Sequence, residues 1–231
     1  MNACLIVPAG GLGKRFGSAL PKQFEIIGDY PIIIHTLKAF ETITEIHRIY
    51  IPVHSNWLDY LQQMLKNSPV KKDIRMLEGG EERQDSVYNA LRLPEIDDFD
   101  FTLVHDAVRP FVSENLILKL LETALISGSA VPFTVPKDTI RKENIDLTYS
   151  IIDRGKLRAI QTPQVFKTKL LKKAYDAAMI ANFYSTDDAA LIEAFGYLPS
   201  LVLGEEINIK ITTKTDKIIA ESLLKEKNHI K

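Results

Sequence analysis

The sequence predicts an α/β protein with a doubly wound, mostly parallel sheet and a projecting β-hairpin arm. Three observations carry this. Short apolar runs, such as ACLIVP at 3–8 and FTLV at 101–104, do not alternate with polar residues, as strands covered on both faces require. Segments of helical period separate these runs, and that strand–helix order favours parallel pairing through right-handed crossovers. After residue 130 the rhythm changes to two β-prone stretches around the polar segment KENIDL, which reads as a hairpin.

Taken in order, the first strand spans 3–8 and contains Cys4, which is expected to be buried there. A glycine-rich loop and a helix near 32–42 follow. Residues 48–53 (RIYIPV) read as the second strand and 55–66 as a helix with Ser55 as N-cap. A short strand near 74–77 leads through Gly79 and Gly80 to a helix near 83–93. The strand at 101–104 precedes a helix near 114–127, which Ser113 can start. The arm comprises stretches 133–141 and 148–153, within a projection at about 133–158. Helices near 167–181 and 187–195 follow, with Ser185 or Thr186 as N-cap before the acidic first turn of the second. Short strands near 200–203 and 207–212 precede a terminal amphipathic helix. With no repeat and no low-complexity linker, 1–231 reads as one domain. A single domain cannot easily bury the arm, so a homodimer held partly by it is expected.

Composition narrows the function. Of 231 residues, 45% are hydrophobic and 26% charged, which is ordinary for a globular protein with a full core. The net charge of −1 offers no basic excess for nucleic acid or an anionic membrane, so any phosphate binding must come from local clusters. A single cysteine permits neither an internal disulfide nor a thiolate metal cluster. No run of 18 apolar residues and no basic-then-apolar leader is present, so a cytoplasmic location is expected.

The strongest chemical signal is the loop PAGGLGKRFG at 8–17, followed by PKQF at 21–24. A loop leaving the carboxyl end of the first parallel strand lies where open α/β sheets bind ligands. Gly10, Gly11 and Gly13 let backbone amides approach a phosphate, while Lys14, Arg15 and Lys22 add three cations. Neither familiar phosphate loop fits. A dinucleotide fingerprint read from Gly11 needs glycine at Phe16, and a Walker A loop ending at Gly13-Lys14 needs glycine at Pro8. Further along, VHDAVRP at 104–110 sets Asp106 and Arg109 at a strand's carboxyl end. Such a pair can bind sugar hydroxyls or a metal and grip a phosphate, or it can simply pin the turn. Lys210 falls in the apolar stretch INIKIT, expected to be a strand, where an ammonium needs a partner. His105 is the tempting general base, but a strand-end histidine beside an aspartate is more often structural.

Residues 8–23 resemble the signature of the sugar-phosphate nucleotidyltransferase superfamily, AGGLGKR followed by PKQ. The segments GGEERQDSV (79–87), VHDAVRP, DTIRK (138–142), IIDR (151–154), QTPQVF (161–166), STDDAALIE (185–193) and NIKIT (208–212) resemble, in order, those of the 2-C-methyl-D-erythritol 4-phosphate cytidylyltransferase family. The resemblance implies a Rossmann-like nucleotidyltransferase fold and transfer of CMP from CTP to that polyol phosphate, releasing pyrophosphate. It implies contacts to CTP from Ala9, Gly10, Gly11, Gly13, Gly80, Glu81 and Ser86. It implies acceptor contacts from Asp106, Arg109, Thr139, Arg154, Thr162 and Thr186, with Thr139 reaching the neighbouring subunit's pocket through exchanged arms. Arg15, Lys22 and Lys210 are then the catalytic cations, and Mg²⁺ is bound mainly through the CTP phosphates, without a dedicated protein ligand. Family members usually open the loop with Ala-Ala-Gly, whereas this chain has Ala9-Gly10-Gly11. That start leans towards ribitol 5-phosphate cytidylyltransferases, while GGEERQDSV and VHDAVRP lean towards methylerythritol phosphate. A non-catalytic nucleotide-binding domain would not need all three cations.

Overall fold

The computed structural model describes residues 1–11 and 20–229. Strand β1 (Ala3–Ile6) is followed by a small hairpin of β2 (Ile26–Ile27) and β3 (Tyr30–Pro31), and then by helix α1 (Ile32–Lys38). The next units are β4 (Ile46–Val53), α2 (Leu58–Lys66), β5 (Asp73–Glu78), α3 (Arg83–Leu91), β6 (Phe101–Val104) and α4 (Glu114–Ser127). β1 pairs in parallel with β4 on one side, Leu5 opposite Ile49, and with β6 on the other, Leu5 opposite Leu103. β5 extends the sheet beyond β4, so the order is β5-β4-β1-β6. The chain thus winds outward from β1 and then crosses to its other side. This reversal opens a crevice at the carboxyl ends of β1 and β6, where ligands settle in such sheets.

Both faces of this block are covered, as the unalternating apolar runs require. Leu5, Ile49, Ile51 and Leu103 pack with Ile33 and Leu37 of α1, Leu61 of α2 and Leu116, Ile117 and Leu120 of α4. The intervening residues Cys4, Ile6, Tyr50 and Val104 point the other way, against Val87, Ala90 and Leu91 of α3. Ser113 Oγ accepts from Leu116 N–H at 3.0 Å and starts α4, and Gly128 ends it with a left-handed φ of 89° that favours glycine.

The second half adds β7 (Ser129–Thr134), β8 (Ile140–Glu143), β9 (Tyr149–Ile152), β10 (Ala159–Ile160), β11 (Gln164–Lys167), α5 (Thr168–Ile180), α6 (Asp188–Ala194), β12 (Ser200–Leu203) and α7 (Lys214–His229). β11 inserts antiparallel between β6 and β7, and β12 runs parallel to β7. Among the described residues β8 and β9 pair only with each other, forming the projecting arm, with Ile145, Leu147, Tyr149 and Ile151 exposed along it. Leu171, Ala174 and Ala178 of α5 and Leu191 and Ile192 of α6 join the α3 face.

Four local expectations change. The first strand of the arm is Ile140–Glu143 rather than 133–141, because Phe133 and Thr134 belong to β7 and pair with β10 in the main sheet. His54, not Ser55, caps the turn before α2, its Nδ1 accepting from Asn56 N–H at 3.2 Å, because Ser55 already lies inside that turn. Asp187, not Ser185 or Thr186, caps α6 by accepting from Ala190 N–H at 2.8 Å, since it is the extended residue immediately before the helix. Residues 207–212 form no strand. The segment is held instead by isolated contacts, backbone Ile211 N–H to the Val108 carbonyl at 3.0 Å and the Asn208 side-chain amide to the Thr162 carbonyl at 2.8 Å. Ile211, Val108 and Phe111 pack with Ala220 of α7, which fixes this segment beside the crevice.

Candidate active site

A cavity of about 260 Å³ lies at the carboxyl end of β1, lined by Pro8–Gly11, Lys22, Gln23, 80–83, Ser86, 106–108 and Lys210. Parallel hydrogen bonding continues past the strand, Val7 N–H to Tyr50 O and Ala9 N–H to Pro52 O, both at 2.8 Å, and delivers the glycine loop to the crevice. Buried Gln23 then holds that loop, donating through Nε2 to the carbonyls of Ala9 at 2.6 Å and Gly11 at 3.2 Å. On the opposite wall a Cβ on Gly80 would stand 2.2 Å from Asp85 Cβ, so the turn between β5 and α3 admits no side chain there. Ser86 Oγ donates to the Glu82 carbonyl at 3.1 Å and accepts from Gly80 N–H at 3.0 Å, pinning this turn from within. A second hollow of about 560 Å³ opens beside Gly10, Gly11, His54, Ser55 and 78–81.

A third cavity, about 200 Å³, is lined by Arg83, Asp106, Arg109, 160–162, Gln164, Thr186, Asp187 and Lys210. Arg83, Asp106 and Lys210 line both this cavity and the glycine-loop cavity, forming their common wall. Asp106 is the hub of that wall. Its Oδ2 meets Lys210 Nζ at 3.0 Å and Arg109 Nε at 3.2 Å, and its Oδ1 faces Arg83 Nε at 3.5 Å. Burial alone would raise the Asp106 pKa, but the charges of Arg83, Lys210 and Arg109 overcome it and hold the carboxyl well below the usual carboxylate range. The carboxylate that Lys210 needed is therefore already present, although 40% of the lysine side chain stays exposed.

His105 is fully buried and spoken for. Its Nε2 can only donate to the Arg109 carbonyl, 3.0 Å away, so its Nδ1 accepts from the Thr162 hydroxyl at 3.0 Å. Burial pushes its pKa down to about 4, and the ring is a neutral strut with no lone pair for base catalysis. Thr162 Oγ also accepts from Asp106 N–H at 3.1 Å, so His105 and Thr162 together set the height of Asp106.

The structure brings together most of the residues singled out in the sequence. Ala9, Gly10, Gly11, Lys22, Gly80, Glu81 and Ser86 line the loop cavity, while Arg109, Thr162 and Thr186 line the third cavity. Gly13 and Arg15 lie outside the described residues. Thr139 and Arg154 are exposed on or beside the arm, where the Arg154 guanidinium donates to the Lys137 carbonyl, and neither is among the described residues that line these two cavities. Two residues escaped sequence reasoning. Gln23 was visible only as part of PKQF. Arg83 has no role in the sequence reading of GGEERQDSV, although a cation in the first turn opposes the helix dipole and so calls for an explanation.

Residues 3–226 match the family described as 2-C-methyl-D-erythritol 4-phosphate cytidylyltransferase. A protein of that name from Bacillus cereus (strain ATCC 10987 / NRS 248) is 40% identical over 220 residues, 95% of this chain and 96% of that one. Another, from Geobacillus kaustophilus, is 38% identical over 224 residues, 97% of each chain. Among solved structures, the 4-diphosphocytidyl-2C-methyl-D-erythritol synthase of Anaerococcus prevotii superposes with a TM-score of 0.84 at 29% identity, covering 97% of this chain and 98% of its own. The 2-C-methyl-D-erythritol 4-phosphate cytidylyltransferase of Thermus thermophilus does so with a TM-score of 0.78 at 32% identity, covering 96% and 98%.

Proposed function

The chain belongs to the 2-C-methyl-D-erythritol 4-phosphate cytidylyltransferase family, and from that premise we infer that it transfers CMP from CTP to 2-C-methyl-D-erythritol 4-phosphate. The observation that carries the reading is the wall of Arg83, Asp106 and Lys210 shared by two cavities. One cavity has the glycine loop suited to a triphosphate; the other has the charged and hydroxyl groups suited to a polyol phosphate. An oxygen of the acceptor phosphate forms a new bond to the α-phosphorus, and the bond from that phosphorus to the pyrophosphate oxygen breaks. The acceptor's second pKa is near 6, so it is already mostly dianionic at neutral pH and needs no general base. The engaged state of His105 accords with this.

What the reaction does need is a fixed set of cations for charge spreading over the α-phosphate. We assign that task to Lys22, Lys210 and Arg15. The glycine loop at Ala9–Gly11 and the facing turn of Gly80, Glu81 and Ser86 enclose CTP, and Asp106, Arg109, Thr162 and Thr186 hold the acceptor. Among the described residues no three His, Cys, Asp or Glu side chains converge, and Asp106 is committed to cations. The site therefore fits Mg²⁺ carried in on the triphosphate, with Glu81 and Glu82 the carboxylates on the cavity wall. Held there, such an ion would supply positive charge that offsets the phosphates and would ease departure of pyrophosphate.

Within a single domain, the arm at about 133–158 is the dimerisation element in this reading, carrying Thr139 and Arg154 towards a partner's acceptor cavity. Among the described residues no helix is long and apolar enough to cross a membrane, and we place the enzyme in the cytoplasm. The decisive assay is pyrophosphate release with CTP and either methylerythritol 4-phosphate or ribitol 5-phosphate. Release with the first acceptor is expected; release with ribitol 5-phosphate alone would reassign the substrate.

A further inference from the structure

We propose that Asp188 is a positioning residue, whose carboxylate fixes the Arg83 guanidinium on the wall shared by the two cavities. The inference rests on the cytidylyltransfer reading above. Asp188 is wholly buried, and both of its oxygens are engaged. Oδ2 accepts from Arg83 Nη2 at 2.7 Å, and Oδ1 accepts from the Tyr175 hydroxyl. A buried carboxylate is tolerated only with a partner of opposite charge and full hydrogen bonding, and here Arg83 is that partner. Tyr175 is itself buried and lies parallel to Tyr88, with ring centroids 6.2 Å apart, so the anchor cannot swing.

Arg83 is the first residue of α3, where the helix dipole disfavours a cation. Helix stability does not account for it there, but its reach does. One edge of the guanidinium is held at 2.7 Å by Asp188, while Nε stands 3.5 Å from Asp106, and 29% of the side chain remains exposed to the cavities. The geometry is that of a cation clamped behind and presented in front. The neighbouring Gln84 ties the same helical turn to the backbone before Thr186, donating to the Phe183 carbonyl and accepting from Ser185 N–H, both at 2.9 Å. The turn that begins at Gly80 on the nucleotide side therefore grips the acceptor side twice. Without Asp188, Arg83 would retain, among the described residues, only the longer contact to Asp106, and both substrates would meet a loose cation.

The test compares Asp188→Asn, Arg83→Gln and the double variant with the wild type in pyrophosphate release, alongside melting temperature. Losing one charge-assisted bond predicts that D188N lowers kcat/KM for both substrates by about tenfold or more per folded molecule. Because Asp188 acts through Arg83, the double variant is expected to be no worse than R83Q alone. A D188N enzyme within about twofold of wild type, or losses that multiply in the double variant, would overturn the proposal. If D188N does not fold, Tyr175→Phe gives the same comparison with a fall of about threefold, again absent on the R83Q background. An inactive wild type would overturn the cytidylyltransfer reading and this inference together, whereas an active wild type with an indifferent D188N removes this inference alone.

Discussion

At the residue scale, the ammonium of Lys210 has a carboxylate at 3.0 Å and a side chain 40% exposed, so it is neither a buried orphan nor free in solvent. An ion pair with such access contributes at most about 1 kcal/mol to folding. Lys210→Ala is therefore expected to leave the melting temperature nearly unchanged while turnover falls about a hundredfold, as for loss of a preorganised donor to the transition state. CTP affinity should fall little, because the loop amides, Lys22 and Arg15 still hold the triphosphate. Turnover, CTP affinity and melting temperature measured on that variant decide the matter; wild-type turnover with a shifted melting point would make Lys210 a purely structural partner of Asp106. Lys22→Ala and Arg15→Ala are each expected to cost turnover on the same order of about a hundredfold, and near-normal turnover removes that residue from the mechanism. Arg83 is the residue-scale lesson: its position was legible in ERQDSV, but its role was not, because its partner Asp188 is 105 positions away.

At the element scale, two pieces of backbone carry separate expectations. The turn between β5 and α3 presents Gly80 where a Cβ would overlap Asp85, so Gly80→Ala must shift either the turn or the start of the helix. CTP titration should then show affinity weakened by about tenfold or more, with the acceptor-binding side following through the displaced Arg83. Unchanged CTP affinity would mean that this turn does not shape the nucleotide cavity. The arm is the other piece. Ile145, Leu147, Tyr149 and Ile151 are all more than half exposed on a hairpin that, among the described residues, pairs with no other strand, a surface that a second copy of the chain would cover. Deleting 140–150 is expected to give monomers with poor acceptor affinity in sedimentation and kinetic assays. A full-length chain that sediments as a monomer at micromolar concentration would sink the exchanged-arm reading.

At the scale of the whole molecule, the buried supports of the site make stability depend on pH. Burial lowers the His105 pKa to about 4, while in the unfolded chain it is near 6.5, so between these values the unfolded state binds a proton that the native state refuses. Stability therefore rises with pH through this window and is lower by about 3 kcal/mol once pH falls below the folded pKa. Asp106 acts in the same direction lower down, since its depressed pKa makes its pairing with Arg83, Lys210 and Arg109 present above the ordinary carboxylate pKa and lost as pH falls through the folded one. Denaturant unfolding followed from pH 7 to pH 4 should show the fall, and His105→Gln should flatten it. An equally steep fall in H105Q would assign the acid lability to other groups.

The sequence by itself determined the alternation of strands and helices, because covered strands and amphipathic helices write their period locally. Boundaries came out sharpest where a local signal sits at the edge, as at 114–127 between Ser113 and Gly128. It also determined which segments bear the chemistry, because glycines, cations and carboxylates at strand ends are local features. Tertiary structure alone decided what each side chain answers to. INIKIT has the apolar pattern of a strand, yet it runs irregularly because its backbone bonds to Val108 and its side chains pack on α7. Lys210 gained its carboxylate, His105 the hydroxyl that its Nδ1 accepts from, and Arg83 its clamp from residues far away in the chain. Period is set by neighbours in sequence, whereas the charge state and aim of a buried side chain are set by neighbours in space.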